Sequence, residues 1–168
     1  MPGWPVFLGD FQTCSSPALA DINHDDTLEI IIGTGGWLNA NDGLVHCFNI
    51  HGTEITGWPV LVGAGLFSSP VVADINGDEE EEIIVATKSP ARLFAFEADG
   101  DTVSGFPLLT DGSSQFATPV VADCNNDGIK EILIQIRRSA TGNLILVEYN
   151  SQLQKIDTLP GWPKMPDQ

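Results

Sequence analysis

Apolar and polar positions fall into a pattern that recurs three times along the chain. Residues 16–21 (SPALAD), 69–74 (SPVVAD) and 118–123 (TPVVAD) are apolar runs closed by an aspartate, and Asp21, Asp74 and Asp123 lie 53 and 49 residues apart. A β-branched run follows each at a constant distance: residues 29–32 (EIII), 82–85 (EIIV) and 131–134 (EILI). A third marker, Gly-Trp-Pro or Gly-Phe-Pro, begins at residues 3, 57, 105 and 161, with spacings of 54, 48 and 56. Self-similarity at a period near 50, spanning essentially the whole chain, defines a repeat architecture.

One unit reads as four short strands. In the middle unit they are expected at residues 69–74, 82–87, 93–96 and 102–106. Asp99-Gly100 lies between the last two, and Gly tolerates the positive φ of a hairpin turn. Third strands of the outer units are expected at 44–50 and 144–149. No segment keeps a 3.6-residue apolar period long enough for a helix. Tandem four-stranded antiparallel units of about 50 residues are the pattern of β-propeller blades. The expected fold class is therefore all-β, a single array over residues 1–168 with blades at about 11–60, 61–110 and 111–164. Residues 3–8 read as the outer strand of a preceding or shared blade. Propellers usually close with about 4–8 blades. Three imply a partial ring, either an excerpt of a longer propeller or a piece completed by a homo-oligomer, for instance two chains.

Charge narrows the partners. The 168 residues carry 7 Lys and Arg against 23 Asp and Glu, a formal net charge of −16. Such a surface repels phosphate backbones and anionic headgroups, so neither nucleic-acid binding nor membrane insertion is expected. No apolar run approaches the roughly 20 residues of a membrane span. The start of the chain shows no signal segment, so an export signal is expected to lie outside this sequence. Cys14, Cys47 and Cys124 form no CxxC pair, which argues against a disulfide scaffold or a zinc site. All three are expected to act as small hydrophobes.

The acids are concentrated. Each shared Asp opens a nine-residue segment with side-chain oxygens at positions 1, 3, 5 and 9. These are Asp21, Asn23, Asp25 and Glu29; Asp74, Asn76, Asp78 and Glu82; and Asp123, Asn125, Asp127 and Glu131. Thirteen of the 23 acids fall in these three segments. Packing them between apolar strands is costly unless a cation neutralises them. Oxygen-only ligands without His or Cys select Ca²⁺, up to three ions here. The backbone carbonyl of position 7 (Thr27, Glu80, Ile129) can add a ligand. An EF-hand needs a Glu at position 12 and flanking helices. Position 12 here is Ile32, Val85 and Ile134, so an EF-hand is excluded. Acidic turns on a soluble surface need no ion, but three in register favour one. Position 6 is Asp26, Glu79 and Gly128, and a positive φ there would cost Glu79 on the order of 1 kcal/mol.

The run Ser-Pro-Val-Val-Ala-Asp-x-Asn-x-Asp, closing on a Glu before a β-branched strand, resembles the FG-GAP/VCBS repeats. Those repeats build calcium-bearing propellers in integrin α-subunits and secreted bacterial proteins. The Asp99-Gly100 turn and the Gly-Trp-Pro endings are similar to the bacterial secreted and surface versions. The resemblance covers about residues 14–162. It implies ion ligands at positions 1, 3, 5, 7 and 9 and a secreted, surface or periplasmic location, and it leaves the ligand open.

Trp4, Trp58, Phe106 and Trp162 repeat with the fold, which favours packing between blades over sugar platforms. The first unit departs from the repeat at residues 33–43, where the second needs only 88–91. Trp37 there, with Asn39 and Asn41, is a candidate ligand-binding group on the face opposite the acidic loops. Arg137 and Arg138 are the only adjacent basic pair, expected on that same face. No nucleophile with a base is evident: His24, His46 and His51 do not recur, and Ser15-Ser16 and Ser68-Ser69 belong to the repeat. The expected function is a non-enzymatic, calcium-stabilised repeat module for protein or carbohydrate binding in a secreted or surface protein. The alternative is a non-catalytic or partial propeller segment of a secreted enzyme such as a polysaccharide lyase or peptidase.

Overall fold

The computed structural model describes residues 2–8, 13–35, 42–88, 90–109, 117–138, 141–150 and 155–158. They form three four-stranded sheets, each with consecutive strands paired antiparallel. The first contains β1 (Ala18–Ala20), β2 (Glu29–Gly33), β3 (Leu44–Phe48) and β4 (Val60–Leu61). The second contains β5 (Val71–Ala73), β6 (Glu82–Ala86), β7 (Arg92–Phe96) and β8 (Leu108–Leu109). The third contains β9 (Val120–Ala122), β10 (Glu131–Arg138), β11 (Thr141–Asn150) and β12 (Lys155–Thr158). There is no helix among the described residues. The fold is all-β, built of propeller-type blades.

The fourth strand differs from expectation. Residues 102–106 contribute only a bridge, Phe96↔Thr102, matched in the first blade by Phe48↔Glu54. Gly57 (φ 93) and Gly105 (φ 92) then turn the chain, and pairing resumes beyond the proline at β4 and β8. Proline lacks the N–H a ladder needs, so the outer strand is divided at the Gly-Trp-Pro element. In the third blade β12 pairs Val147↔Thr158, the counterpart of the bridge.

Alternation along the middle blade sends side chains to both neighbours. Ile83, Val85, Phe94 and Phe96 pack with Ile31, Val45, Cys47, Trp58 and Val62 of the first blade. Ile84, Ala86, Leu93 and Ala95 pack with Ile132 and Ile134 of the third. All five residues of β6 are buried, whereas β2 alternates between buried and half-buried. The recurring geometry at the inner ends is a relay of hydroxyls. The Ser16 N–H donates to Ser69 Oγ (3.0 Å), and the Ser69 N–H donates to Thr118 Oγ1 (3.1 Å). This gives the repeated Ser/Thr-Pro a structural role.

The Gly-Trp-Pro elements also join blades. Trp58 lies edge-on to Phe96 and its Nε1–H donates to Ala98 O (2.9 Å). Trp4 repeats both contacts one blade earlier, edge-on to Phe48 and donating to Ile50 O (2.8 Å). Cys47 is buried as expected, but Cys14 and Cys124 are exposed. Cys124 occupies the place of Ile22 (2% exposed) and Ile75 (1%), which are covered by the next blade, and no described residue covers it. Cys14 aligns with the buried Phe67, and its short thiol does not reproduce the packing of the ring.

Candidate metal centres

Each first-to-second strand connection is a nine-residue loop folded on its own side-chain oxygens. Positions 4 and 6 are left-handed in all three: His24 (φ 55) and Asp26 (φ 66), Gly77 (φ 81) and Glu79 (φ 73), Asn126 (φ 62) and Gly128 (φ 91). These turns aim successive N–H groups inward. The position 6 N–H donates to Oδ2 of the position 1 Asp at 2.9, 3.2 and 2.9 Å. The position 5 N–H donates to the position 3 Asn Oδ1 at 3.0, 2.9 and 2.9 Å. The position 7 N–H donates to the position 5 Asp Oδ1 at 2.9 Å in every loop. Asp and Asn suit these places because a short side chain reaches its own backbone two residues on. The strain expected at Glu79 is present, and sequence reading did not anticipate the second left-handed position.

The position 9 glutamates are fully buried: Glu29, Glu82 and Glu131 are each 0% exposed. Each Oε2 accepts the position 2 N–H, from Ile22 (3.2 Å), Ile75 (2.8 Å) and Cys124 (2.7 Å). In the second and third loops Oε1 also accepts from the Asn side chain, Asn76 Nδ2 (2.9 Å) and Asn125 Nδ2 (2.8 Å). In the first loop Glu29 Oε1 is buried without a partner. Residues opening β2, β6 and β10 thus carry carboxylates into the sheet ends.

This arrangement is electrostatically costly. Burial, then the nearby Glu97, Asp78 and Asp74, pushes Glu82 up to about 7. Burial, then Asp25 and Asp21, raises Glu29. Glu97, from the third-to-fourth strand connection, is raised by burial and by Asp78, Asp99, Asp101 and Glu80, so two hairpins of the second blade crowd their acids together. At the exposed rim the direction reverses. The Thr27 hydroxyl lowers Asp25, and backbone N–H groups, Gly128 first, lower Asp123.

The donor set fits a hard divalent cation. Asp123, Asp127 and Glu131 each place a carboxylate oxygen so that all three lie within 4.8 Å of one another. Oxygens sharing one Ca²⁺ at about 2.3–2.6 Å stand at most roughly 5 Å apart. A carboxylate has about four acceptor positions, so the N–H bonds leave lone pairs for an ion. The orphaned Glu29 Oε1 is a second observation of the same kind. Asp21, Asn23, Asp25 and Thr27, with Glu29, line the first loop. Asp74, Asn76, Asp78 and Glu80, with Glu82, line the second. Asn125 and Ile129 complete the third.

Two contacts escaped sequence reading. His24 at position 4 of the first loop meets Glu80 of the second, Nε2 to Oε2 at 2.6 Å, linking neighbouring loops. His46, 7% exposed, is bound through Nδ1 to Glu54 Oε1 (2.5 Å) and through Nε2 to Thr34 Oγ1 (3.3 Å). The signal was available. His46 and Glu54 stand where the second blade has Phe94 and Thr102, and the His46 ring stacks on Phe48 as Phe94 stacks on Phe96. Trp37, Asn39 and Asn41 lie outside the described residues, as does Trp162. The Arg137 and Arg138 backbone ends β10, which exceeds β2 and β6 by three residues on the side opposite the acidic loops.

Comparison with known proteins agrees with this geometry. Residues 74–134, from Asp74 at the opening of the second loop to Ile134 in β10, match the FG-GAP-like repeat. That stretch carries the repeat expected from the sequence pattern, over about a third of the chain. A solved structure similar to the chain is the V. cholerae biofilm matrix protein Bap1. Its TM-score is 0.57 at 20% sequence identity, with 88% of this chain and 32% of that chain covered. The chain therefore spans about a third of the length of that protein, and the likeness is one of fold. No curated protein sequence matches the chain at a significant level.

Proposed function

We propose that the chain is a calcium-stabilised repeat module that binds protein or carbohydrate in an extracellular or cell-surface protein. The observation that carries this reading is the threefold recurrence of one loop, with the same four hydrogen bonds closing each around a buried glutamate, together with the convergence of three carboxylate oxygens in the third. Calcium, up to three ions, would sit at positions 1, 3, 5, 7 and 9 of each loop, and three ions would bring the charge from −16 to about −10. Millimolar extracellular Ca²⁺ suits modules of this kind. The FG-GAP-like repeat and the fold shared with a biofilm matrix protein support an extracellular, adhesion-type setting. Among the described residues no helix is long and apolar enough to cross a membrane.

The ion's part is structural: it neutralises carboxylates that otherwise repel, and stability follows by linkage. The binding surface is the face opposite the ion loops, with Trp37, Asn39 and Asn41 as contact residues. Thermal unfolding with excess Ca²⁺ and after exhaustive chelation tests the first part. At a hundred times Kd each occupied site adds about 2.7 kcal/mol, so the melting temperature should fall by many degrees on chelation. An unchanged melt would refute it. A glycan array with and without Ca²⁺, using wild type and Trp37→Ala, tests the second. Binding retained in full by the variant would remove that site.

A further inference from the structure

The structure assigns a modification site to the Asn76–Gly77 step of the second acidic loop, where the Gly77 nitrogen attacks the Asn76 side chain and expels its amide as ammonia. Water then opens the resulting ring and leaves aspartate or isoaspartate at residue 76. The reaction needs no ion. Its consequence for calcium rests on the reading of this loop as a metal centre.

Asn76 is the one asparagine of the chain that glycine follows. Glycine has no side chain to screen its own nitrogen from the asparagine carbon, and it adopts the left-handed turn here (φ 81) without strain. The space beside it is open to water, since a Cβ on Gly77 would meet nothing within 4 Å.

Three contacts fall on the reacting atoms. The Gly77 N–H donates to Asp74 Oδ1 at 2.6 Å, so a carboxylate faces the proton that attack must shed. The Asp78 N–H donates at 2.9 Å to Asn76 Oδ1, the oxygen on which negative charge develops as the nitrogen adds. That bond also folds the side chain back over its own backbone. Asn76 Nδ2, the leaving nitrogen, donates to Glu82 Oε1 at 2.9 Å, which fixes the orientation of the amide. The Gly77 N–Cγ bond forms, the Cγ–Nδ2 bond breaks, and the proton from Gly77 departs with the amide nitrogen as ammonia. One water molecule is consumed when the ring opens.

The other two loops are internal controls. Asn125 keeps all three contacts: Asn126 N–H to Asp123 Oδ1 (2.6 Å), Asp127 N–H to Asn125 Oδ1 (2.9 Å) and Asn125 Nδ2 to Glu131 Oε1 (2.8 Å). Its nucleophile, however, would be the nitrogen of Asn126, which carries a side chain. Among the described residues Asn23 keeps only the bond from the Asp25 N–H, and His24 follows it. The expected order of reaction is Asn76, then Asn125, then Asn23.

The product alters what the loop requires. Aspartate at residue 76 replaces the donor to the buried Glu82 with a second carboxylate, so the metal-free loop loses a hydrogen bond and gains repulsion. With an ion present, the same change adds a charged ligand. Deamidation thus turns a loop that satisfies itself into one that depends on a cation. Isoaspartate instead lengthens the backbone by one carbon and breaks the spacing of positions 3 and 5.

The test holds native protein in chelator at neutral pH, at a temperature where circular dichroism shows it folded, beside the same protein fully unfolded in urea. Peptide mapping by mass spectrometry follows both over time. In heavy-oxygen water one labelled oxygen should enter residue 76 for each ammonia released. The folded protein should react at least as fast as the unfolded chain. Gly77→Asn, which copies position 4 of the third loop, should keep its circular dichroism and lose most of the reaction. Folded protein that stays intact while the urea sample reacts would overturn the inference, as would undiminished reaction in Gly77→Asn. Separately, Asn76→Asp should melt lower than wild type in chelator and recover in Ca²⁺. Reaction at residue 76 without that recovery would uphold the modification site and remove the metal reading, so the two fail independently.

Discussion

Raising the pH of the calcium-free protein should destabilise it, contrary to the behaviour of a protein held by surface ion pairs. The group responsible is Glu82, fully buried at the start of β6 and raised from 4.5 to about 7 by burial and by Glu97, Asp78 and Asp74. A carboxyl whose folded-state value lies above its unfolded one keeps a proton that the unfolded chain gives up. Its contribution is therefore fully present below about pH 4.5 and is lost as pH rises towards 7. At 1.36 kcal/mol per unit, the loss is about 3 kcal/mol, or roughly 6–12 °C in melting temperature for a domain of this size. Glu29 and Glu97 are raised too, so they act in the same direction. The assay is urea unfolding of metal-free protein at about pH 5 and pH 8, beside Glu82→Gln and a calcium-loaded series. The variant should lose most of the slope. Calcium should flatten it, because a bound cation holds the carboxylate ionised. Metal-free wild type that is equally stable, or more stable, at the higher pH would refute the reasoning.

Other consequences follow from the backbone and the seams. Glu79→Gly should stabilise the metal-free protein by about 1 kcal/mol, since φ 73 is strained for Glu, and Gly128→Ala should cost about as much. The space around Gly128 is open, so any larger loss in a denaturant titration would show that conformation is not the cause. Gly57→Ala should cost several times more, because the new carbon would overlap Asp99 O, and unfolding near wild-type conditions would contradict the docking described. Trp58→Phe, which removes the hydrogen bond to Ala98 O and part of a buried ring, should cost about 2 kcal/mol or more by the same titration. The Cys47 thiol, pushed up to about 12 by burial and by Glu29 and Glu54, should stay unmodified in native protein and react once unfolded.

Much of this architecture was legible in the residues because each blade restates it. Three copies of one pattern placed the starts of β2, β6 and β10 and put the acids at the same sheet corners, although β10 runs on to Arg138, four residues beyond the expected run. Reading failed where a local feature overrode alternation. Gly57 and Gly105 divide the outer strand, so an apparently continuous strand at 102–106 supplies one bridge and the ladder resumes at Leu108. It failed again where position in the array decides the environment. Cys124 follows the pattern of Ile22 and Ile75, yet exposure depends on the neighbouring blade and not on its own loop. The His46–Glu54 pair was visible as a break from Phe94 and Thr102, but only the fold shows that these residues face one another. Within the loops the glutamates were anticipated as ion ligands. Their bond to the position 2 N–H, which anchors each cage to its sheet, needs the folded turn to be seen.

Calcium held in three acidic loops at matching corners of the sheets is expected to stabilise the array. The most direct measurement is a crystal structure grown in Ca²⁺, with anomalous difference density examined at the three loops. A peak is expected at the third loop within about 2.3–2.6 Å of Asp123, Asn125, Asp127, Glu131 and the Ile129 carbonyl, with corresponding peaks at the other two. Water alone at all three corners, in calcium concentrations typical of the extracellular medium, would contradict it.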